Sequence, residues 1–178
     1  MSVVAPKSLS QEPLSSESQS DALERVCRYL DTFQLGLKPM LFDVSTSSAQ
    51  LAAEAVGVEV GAIAKTICFR IKDDPLLVVT SGDARVDVKK LKSLVGGKPK
   101  FVDPDEAFAL TGYRAGGVCP FALPKPMRIF IDESLRRFPV VYIAAGTANS
   151  ALPITVDQLV VTTGGEVADL AEYRDCGC

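Results

Sequence analysis

Apolar residues recur at helical spacing near the start of the chain: Ala22, Leu23, Val26, Tyr29, Leu30 and Phe33 share one side, and Gly36 follows as a stop. The pattern predicts an amphipathic helix over residues 21–35. Residues 40–44 read as a short extended piece. Ser47 and Ser48 then cap a second helix carrying Leu51, Ala53 and Val56, which ends at Gly57. Two apolar runs, residues 63–71 and 76–81, flank the turn cluster Lys72-Asp73-Asp74-Pro75 and predict an antiparallel hairpin. Asp87 opens a third helix with Val88, Leu91, Leu94 and Val95 on one face, closed by Gly96-Gly97.

A brief strand at Phe101-Val102 precedes a strong helix start. Asp103 offers an N-cap oxygen, Pro104 suits the first turn, and Asp105 and Glu106 sit at the positive end of the dipole. This helix ends near Gly112. Strands are expected over residues 128–131, 140–145 and 159–163, with a helical turn at Asp132-Glu133-Ser134-Leu135 and a terminal helix over residues 166–173. Strands and helices alternate without a βαβ rhythm, so the expected fold is mixed α/β. Its sheet, or partial barrel, is largely antiparallel and wrapped by helices.

The chain has 178 residues, enough for one domain with a sizeable core, and its mean hydropathy is +0.20. Residues 1–20, rich in Ser, Gln, Glu and Pro, read as a disordered tail; residues 21–175 form the domain, and residues 176–178 a C-terminal tail. No apolar run approaches the ~20 residues of a membrane span. Five scattered cysteines, an odd number, argue against a disulfide framework and fit a reducing cytoplasm, and Cys176-Gly177-Cys178 is an incomplete metal or redox site. A net charge of −3 argues against non-specific coating of nucleic acid, although Lys89, Lys90, Lys92, Lys98 and Lys100 form a local basic cluster.

The chain contains no histidine, which excludes a Ser-His-Asp triad and the histidine zinc motifs. Chemistry must then use backbone amides, lysine, carboxylates, hydroxyls or thiols. Within the strand over residues 63–71, Lys65 shares a face with Ile63, Ile67 and Phe69. It is either a lysine reaching past a sheet edge or a fixed cation in a pocket. The segment Gly112-Tyr113-Arg114-Ala115-Gly116-Gly117-Val118-Cys119-Pro120 reads as a cradle of bare amides or as a tight connection. Gly146-Thr147-Ala148-Asn149-Ser150 is the other candidate loop. Cys119 lacks an activating histidine and reads better as a structural thiol. Lys89, Lys90 and Lys92 either form a solvated helix face or touch RNA phosphates.

In order and spacing, Ala64-Lys65-Thr66-Ile67, Gly112-Tyr113 with Gly116-Gly117-Val118-Cys119-Pro120, Ile131-Asp132 and Ala144-Ala145-Gly146 resemble the YbaK/ProX family. These are free-standing aminoacyl-tRNA editing domains related to the insertion domain of bacterial prolyl-tRNA synthetase. The resemblance implies hydrolysis in trans of the ester joining a wrong amino acid to the tRNA 3′ adenosine. Lys65 and Gly117 would be the catalytic positions. Thr66, Gly116, Val118, Cys119, Pro120, Gly146, Thr147 and Asn149 would bind substrate, with Lys89, Lys90 and Lys92 on tRNA. It implies no cofactor and no metal, tRNA and a synthetase as candidate partners, and no membrane. The amino acid stays open among Ala, Ser, Thr and Cys, decided by the volume that Val118, Cys119, Phe121 and Asn149 leave. The alternative is a non-catalytic module that recognises an amino acid or a tRNA 3′ end or docks on a synthetase.

Overall fold

The computed structural model describes residues 18–173. Its frame is a mixed sheet in the spatial order β1 (Met40–Leu41), β8 (Ser150–Ile154), β7 (Val141–Ile143), β2 (Ile63–Ile71), β3 (Asp74–Ser81), β6 (Arg128–Asp132) and β9 (Glu166–Ala168). β5 (Lys100–Phe101) also pairs with β2, off this path, and β4 (Ala84–Val86) pairs separately with β10 (Ala171–Tyr173). The β2–β3 hairpin is antiparallel from Ala64↔Ser81 to Ile71↔Asp74, whereas β2–β7, β3–β6 and β6–β9 are parallel. The hairpin turn is tighter than the turn cluster suggests: Asp74 and Pro75 already belong to β3, and Lys72 takes the left-handed conformation at φ 54°.

Alternation along β3 and β6 sends side chains into two cores. Leu77, Val79, Ile129 and Ile131 pack with Ala22, Val26 and Leu30 of α1 (Gln19–Asp31), with Ala107 of α4 (Pro104–Thr111), and with Val156 and Leu159 of α5 (Val156–Thr163). Leu76, Val78 and Phe130 face the other way, onto Val86, Leu170 and Leu91 of α3 (Val88–Val95). Each such buried side chain contributes about 1.5–3 kcal/mol of hydrophobic stabilisation. The remaining helix, α2 (Ala49–Val56), lies over Ile63 at the start of β2.

The helix boundaries follow their caps. Ser18 and Asp21 form a capping box on α1, and Ser48, Asp87 and Asp103 accept first-turn amides of α2, α3 and α4. Two expectations are corrected, and one strand is unforeseen. Residues 159–163 end α5 and are no strand: Thr155 and Gln158 form a capping box, and Val156, Leu159 and Thr162 are buried at helical spacing, outweighing the β-branched composition. Residues 166–173 are the two strands β9 and β10 in place of a helix, because β6 and β4 offer them open edges. β8 goes unforeseen next to the loop expected at residues 146–150; it tolerates Pro153 because β1 covers β8 only as far as Ala151, so Pro153 lies where one edge is open.

Buried Asp132 ties the last segments down. One oxygen accepts the Ser134 amide at 2.9 Å and the other the Leu170 amide at 2.6 Å. Among the described residues no helix is long and apolar enough to cross a membrane.

Candidate functional site

A break in sheet pairing creates the site. Hydrogen-bonding groups of successive strand residues point to alternate edges. The Ile63 carbonyl accepts the Gly82 amide at 2.7 Å on the β3 side, and the Cys68 carbonyl accepts the Val102 amide at 3.2 Å on the other. Odd-numbered residues of β2 therefore bond toward β3, and even-numbered residues toward the outer edge. On that edge β7 pairs with Ile63 and Ala64, and β5 with Phe69 and Arg70. Thr66 falls between them, its N–H and C=O facing neither strand. Its Oγ1 is also buried and has no hydrogen-bond partner. An unpaired buried polar group costs about 1–3 kcal/mol, so the Thr66 hydroxyl and the unladdered backbone groups beside it mark a polar defect in the sheet edge.

They border a cavity of about 300 Å³. Its walls are Ser47, Ser48, Ala49 and Ala52 at the start of α2, residues 63–68 of β2, Phe101 and Val102, Pro104 and Ala107 of α4, Tyr142 and Ile143 of β7, and Gly116 and Val118 of the glycine loop. The first turns of α2 and α4 both open onto it, and helix N-termini carry partial positive charge. No carboxylate is among the described lining residues. Cys68 lines the cavity, but burial raises its pKa to about 11, only partly countered by Arg70, so it stays a thiol near neutrality.

The residues expected from the sequence separate into two groups. Lys65, Thr66, Gly116 and Val118 meet at this cavity. The Lys65 ammonium donates to the Ala84 carbonyl at 2.5 Å, a bond that uses one of its three donors. Burial lowers its pKa from the usual lysine value; Asp83 opposes the shift and Arg85 adds to it. Asp83 stands on the adjoining turn, clasped by Arg137 at 2.7 and 3.0 Å and by Ser81 Oγ at 2.5 Å.

The second group lies beside the cavity as scaffold. The Gly117 amide is taken by the Arg114 carbonyl at 3.0 Å, which corrects its reading as a bare donor. A Cβ on Gly117 would meet the Gly146 carbonyl and the Thr147 nitrogen at 2.8 Å, so its lack of a side chain lets two loops pack backbone to backbone. Cys119 is fully buried, and burial raises its pKa to about 12, which rules out a reactive thiolate. Pro120 is buried beside it, and fully buried Phe121 spends its carbonyl on Tyr113 Oη at 2.5 Å. Gly146 and Thr147 border a second, smaller cavity with Gly117, and Asn149 Nδ2 donates to the Phe42 carbonyl at 3.2 Å, so neither loop residue nor Asn149 lines the main cavity.

The lysine cluster also divides. α3 covers the sheet face opposite the glycine loop, and Lys90 is held there by Asp169 at 2.8 Å and the Ala171 carbonyl at 3.0 Å. Lys89 and Lys92 are exposed on the same helix. Cys176 and Cys178 lie outside the described residues. Sequence reasoning missed Cys68, Tyr142 and Phe101 as lining residues and read Ser47 and Ser48 as caps alone. The serine pair was the available signal; the others depend on strand pairings distant in sequence.

Comparison with known proteins gives a consistent picture. A model described as the aminoacyl-tRNA editing domain matches residues 43–161. The uncharacterized protein YwhH of Bacillus subtilis is 40% identical over 119 residues, 66% of this chain and 76% of its own length. A protein of Enterococcus faecalis, EbsC, provisionally named a Cys-tRNA(Pro)/Cys-tRNA(Cys) deacylase, is 27% identical over 69% of this chain and 76% of its own. A crystal structure of a protein provisionally described as a trans-editing enzyme for prolyl tRNA synthetase superposes with a TM-score of 0.81 at 38% identity, covering 88% of this chain and 99% of that one.

Two predictions follow from the packing around the cavity. Gly117→Ala forces backbone against backbone and should cost about 1–3 kcal/mol, read as a lower denaturant midpoint at unchanged m; an unchanged midpoint would show that the loops separate freely. Arg137 holds the Asp83 carboxyl below the usual aspartate range, so this group stabilises the fold above about pH 4, and the contribution is lost as pH falls through the depressed value. The difference in Tm between wild type and Asp83→Asn should therefore shrink as pH drops below about 4. A constant difference would remove the ion pair from the account.

Proposed function

The chain belongs to the aminoacyl-tRNA editing domain family, and on that premise we propose that it hydrolyses, in trans, the ester joining a misattached small amino acid to the 3′ end of tRNA. The observation that carries this reading is Thr66, which neither outer strand pairs with and whose Oγ1 has no hydrogen-bond partner, beside a cavity with no carboxylate among its described lining residues.

An aminoacyl ester is already reactive, so orientation and aligned dipoles supply much of what a strong base would otherwise provide. Water attacks the ester carbonyl, the carbon–oxygen bond to the ribose breaks, and the amino acid and the tRNA 3′ hydroxyl are released. In this reading the Thr66 amide donates to the carbonyl oxygen as negative charge develops there. Its carbonyl and hydroxyl orient the attacking water or the substrate's ammonium group. The first turns of α2 and α4 and the nearby Lys65 charge favour the same developing anion. Val118, Tyr142 and the Gly116 backbone receive the amino-acid side chain. The modest volume supports Ala, Ser, Thr or Cys, and the name of the Enterococcus relative supports Cys among them. A tRNA substrate would place the activity in the cytoplasm, with a synthetase as a natural neighbour.

The protonated Cys68 thiol and the carboxylate-free lining favour a second reading, a module that binds an aminoacylated end without turnover. Amino-acid release from a panel of mischarged tRNAs separates the two: turnover of at least one supports the deacylase, and saturable binding without release supports the module. Within an active panel, Thr66→Val should lower kcat/KM about 10- to 100-fold, the worth of a hydroxyl hydrogen bond that orients the water or the substrate's charged ammonium group, and Thr66→Ser should retain most activity. Thr66→Val should leave Tm unchanged or higher, because the hydroxyl it removes has no protein partner. A fall in Tm with full activity would assign Thr66 to the fold alone.

A further inference from the structure

Phe101 is the most exposed large apolar side chain among the described residues, at 69%, yet it lines the cavity. Its ring is fixed in place. β5 pairs with β2 in the register Phe69↔Phe101, and the ring lies on that of Phe69 with centroids 4.7 Å apart and planes 38° apart. Phe69 is itself fully buried, so Phe101 is braced from behind while its other face is open. The same segment carries Lys98 and Lys100, both exposed, with Lys100 opposite Arg70. Nearby acids are largely committed: Glu106 pairs with Arg70, and Asp103 caps α4.

We propose that β5 is the platform for the terminal nucleobase of the tRNA, with Phe101 as the stacking face and Lys98 and Lys100 beside the preceding phosphates. The inference rests on the deacylase reading only in taking the cavity as the ester site. An ester in that cavity is attached to the ribose of the last nucleotide, so its base must lie one sugar away, at the cavity mouth where Phe101 stands. A rigid, one-sided aromatic surface flanked by cations matches the way single-stranded nucleic acid is held, by base–aromatic stacking and phosphate contacts without sequence readout. This moves the RNA footprint from α3 to β5, at the cavity mouth.

The test is a cycle between ring and base, using uncharged RNA so that it does not depend on turnover. An acceptor-stem hairpin with an unpaired 3′ adenosine is compared with the same hairpin ending in an abasic residue, against wild type and Phe101→Leu, which keeps Phe69 covered but removes the π face. Loss of the base should weaken binding to wild type about tenfold, within the usual range for one stacked base, and should weaken binding to Phe101→Leu scarcely at all. The chain has no tryptophan, so Phe101→Trp introduces a single fluorophore. It should be quenched by the adenosine hairpin and not by the abasic one. Equal loss in both proteins, or no binding of either hairpin, overturns the proposal. Turnover of mischarged tRNA alongside a null cycle would leave the deacylase standing and remove only the platform; coupling without turnover would do the reverse.

Discussion

The site depends on one constraint: β2 has to share a single edge between two short partners. β7 reaches only Ile63 and Ala64, and β5 only Phe69 and Arg70, so the ladder is interrupted at Thr66. On the other edge β2 is held along its length by β3. A strand anchored on one side and broken on the other presents rigid, unsatisfied backbone groups without the cost of a disordered loop. Whatever the cavity does, its polar groups are positioned by a hairpin at the centre of the sheet.

That arrangement explains how the site can work without histidine or a lining carboxylate. Cys68 and Cys119 are kept protonated by burial, and the Lys65 ammonium is anchored by the Ala84 carbonyl. What is left are that anchored charge and fixed dipoles: the edge of Thr66 and the first turns of two helices. Fixed dipoles suit a reaction whose ground state is already labile and whose need is orientation and a stabilised oxyanion. The glycine loop serves the same end indirectly. Gly117 lets its loop lie directly on the backbone at Gly146, and this holds Gly116 and Val118 against the cavity.

Local signals were legible in the sequence. Ser48 with Gly57, Asp87 with Gly96, and Asp103-Pro104 with Gly112 mark helices whose ends the structure reproduces, because capping is a contact between near neighbours. The hairpin and the family resemblance were legible for similar reasons of pattern and order. Strand-like residues in α5 and helix-like residues in β9 and β10 were misread because partners far along the chain decide them. The gap at Thr66 was invisible for the same reason: it is defined by residues 100–101 and 142–143, and no periodicity in β2 encodes it. Lys65 was recognised as an oddly placed cation, but the Ala84 carbonyl that satisfies it could not be anticipated.

The most direct test of the interrupted edge is residue-resolved amide exchange on the full chain, free and saturated with a non-hydrolysable 3′-aminoacylamide analogue of aminoacyl-adenosine. Lys65 and Ile67 donate toward β3, so their amides should be protected in both states. The Thr66 amide should exchange faster than either in the free protein and become protected when the analogue binds. A Thr66 amide as protected as its neighbours in the free protein, or unmoved by saturating analogue, would contradict the account.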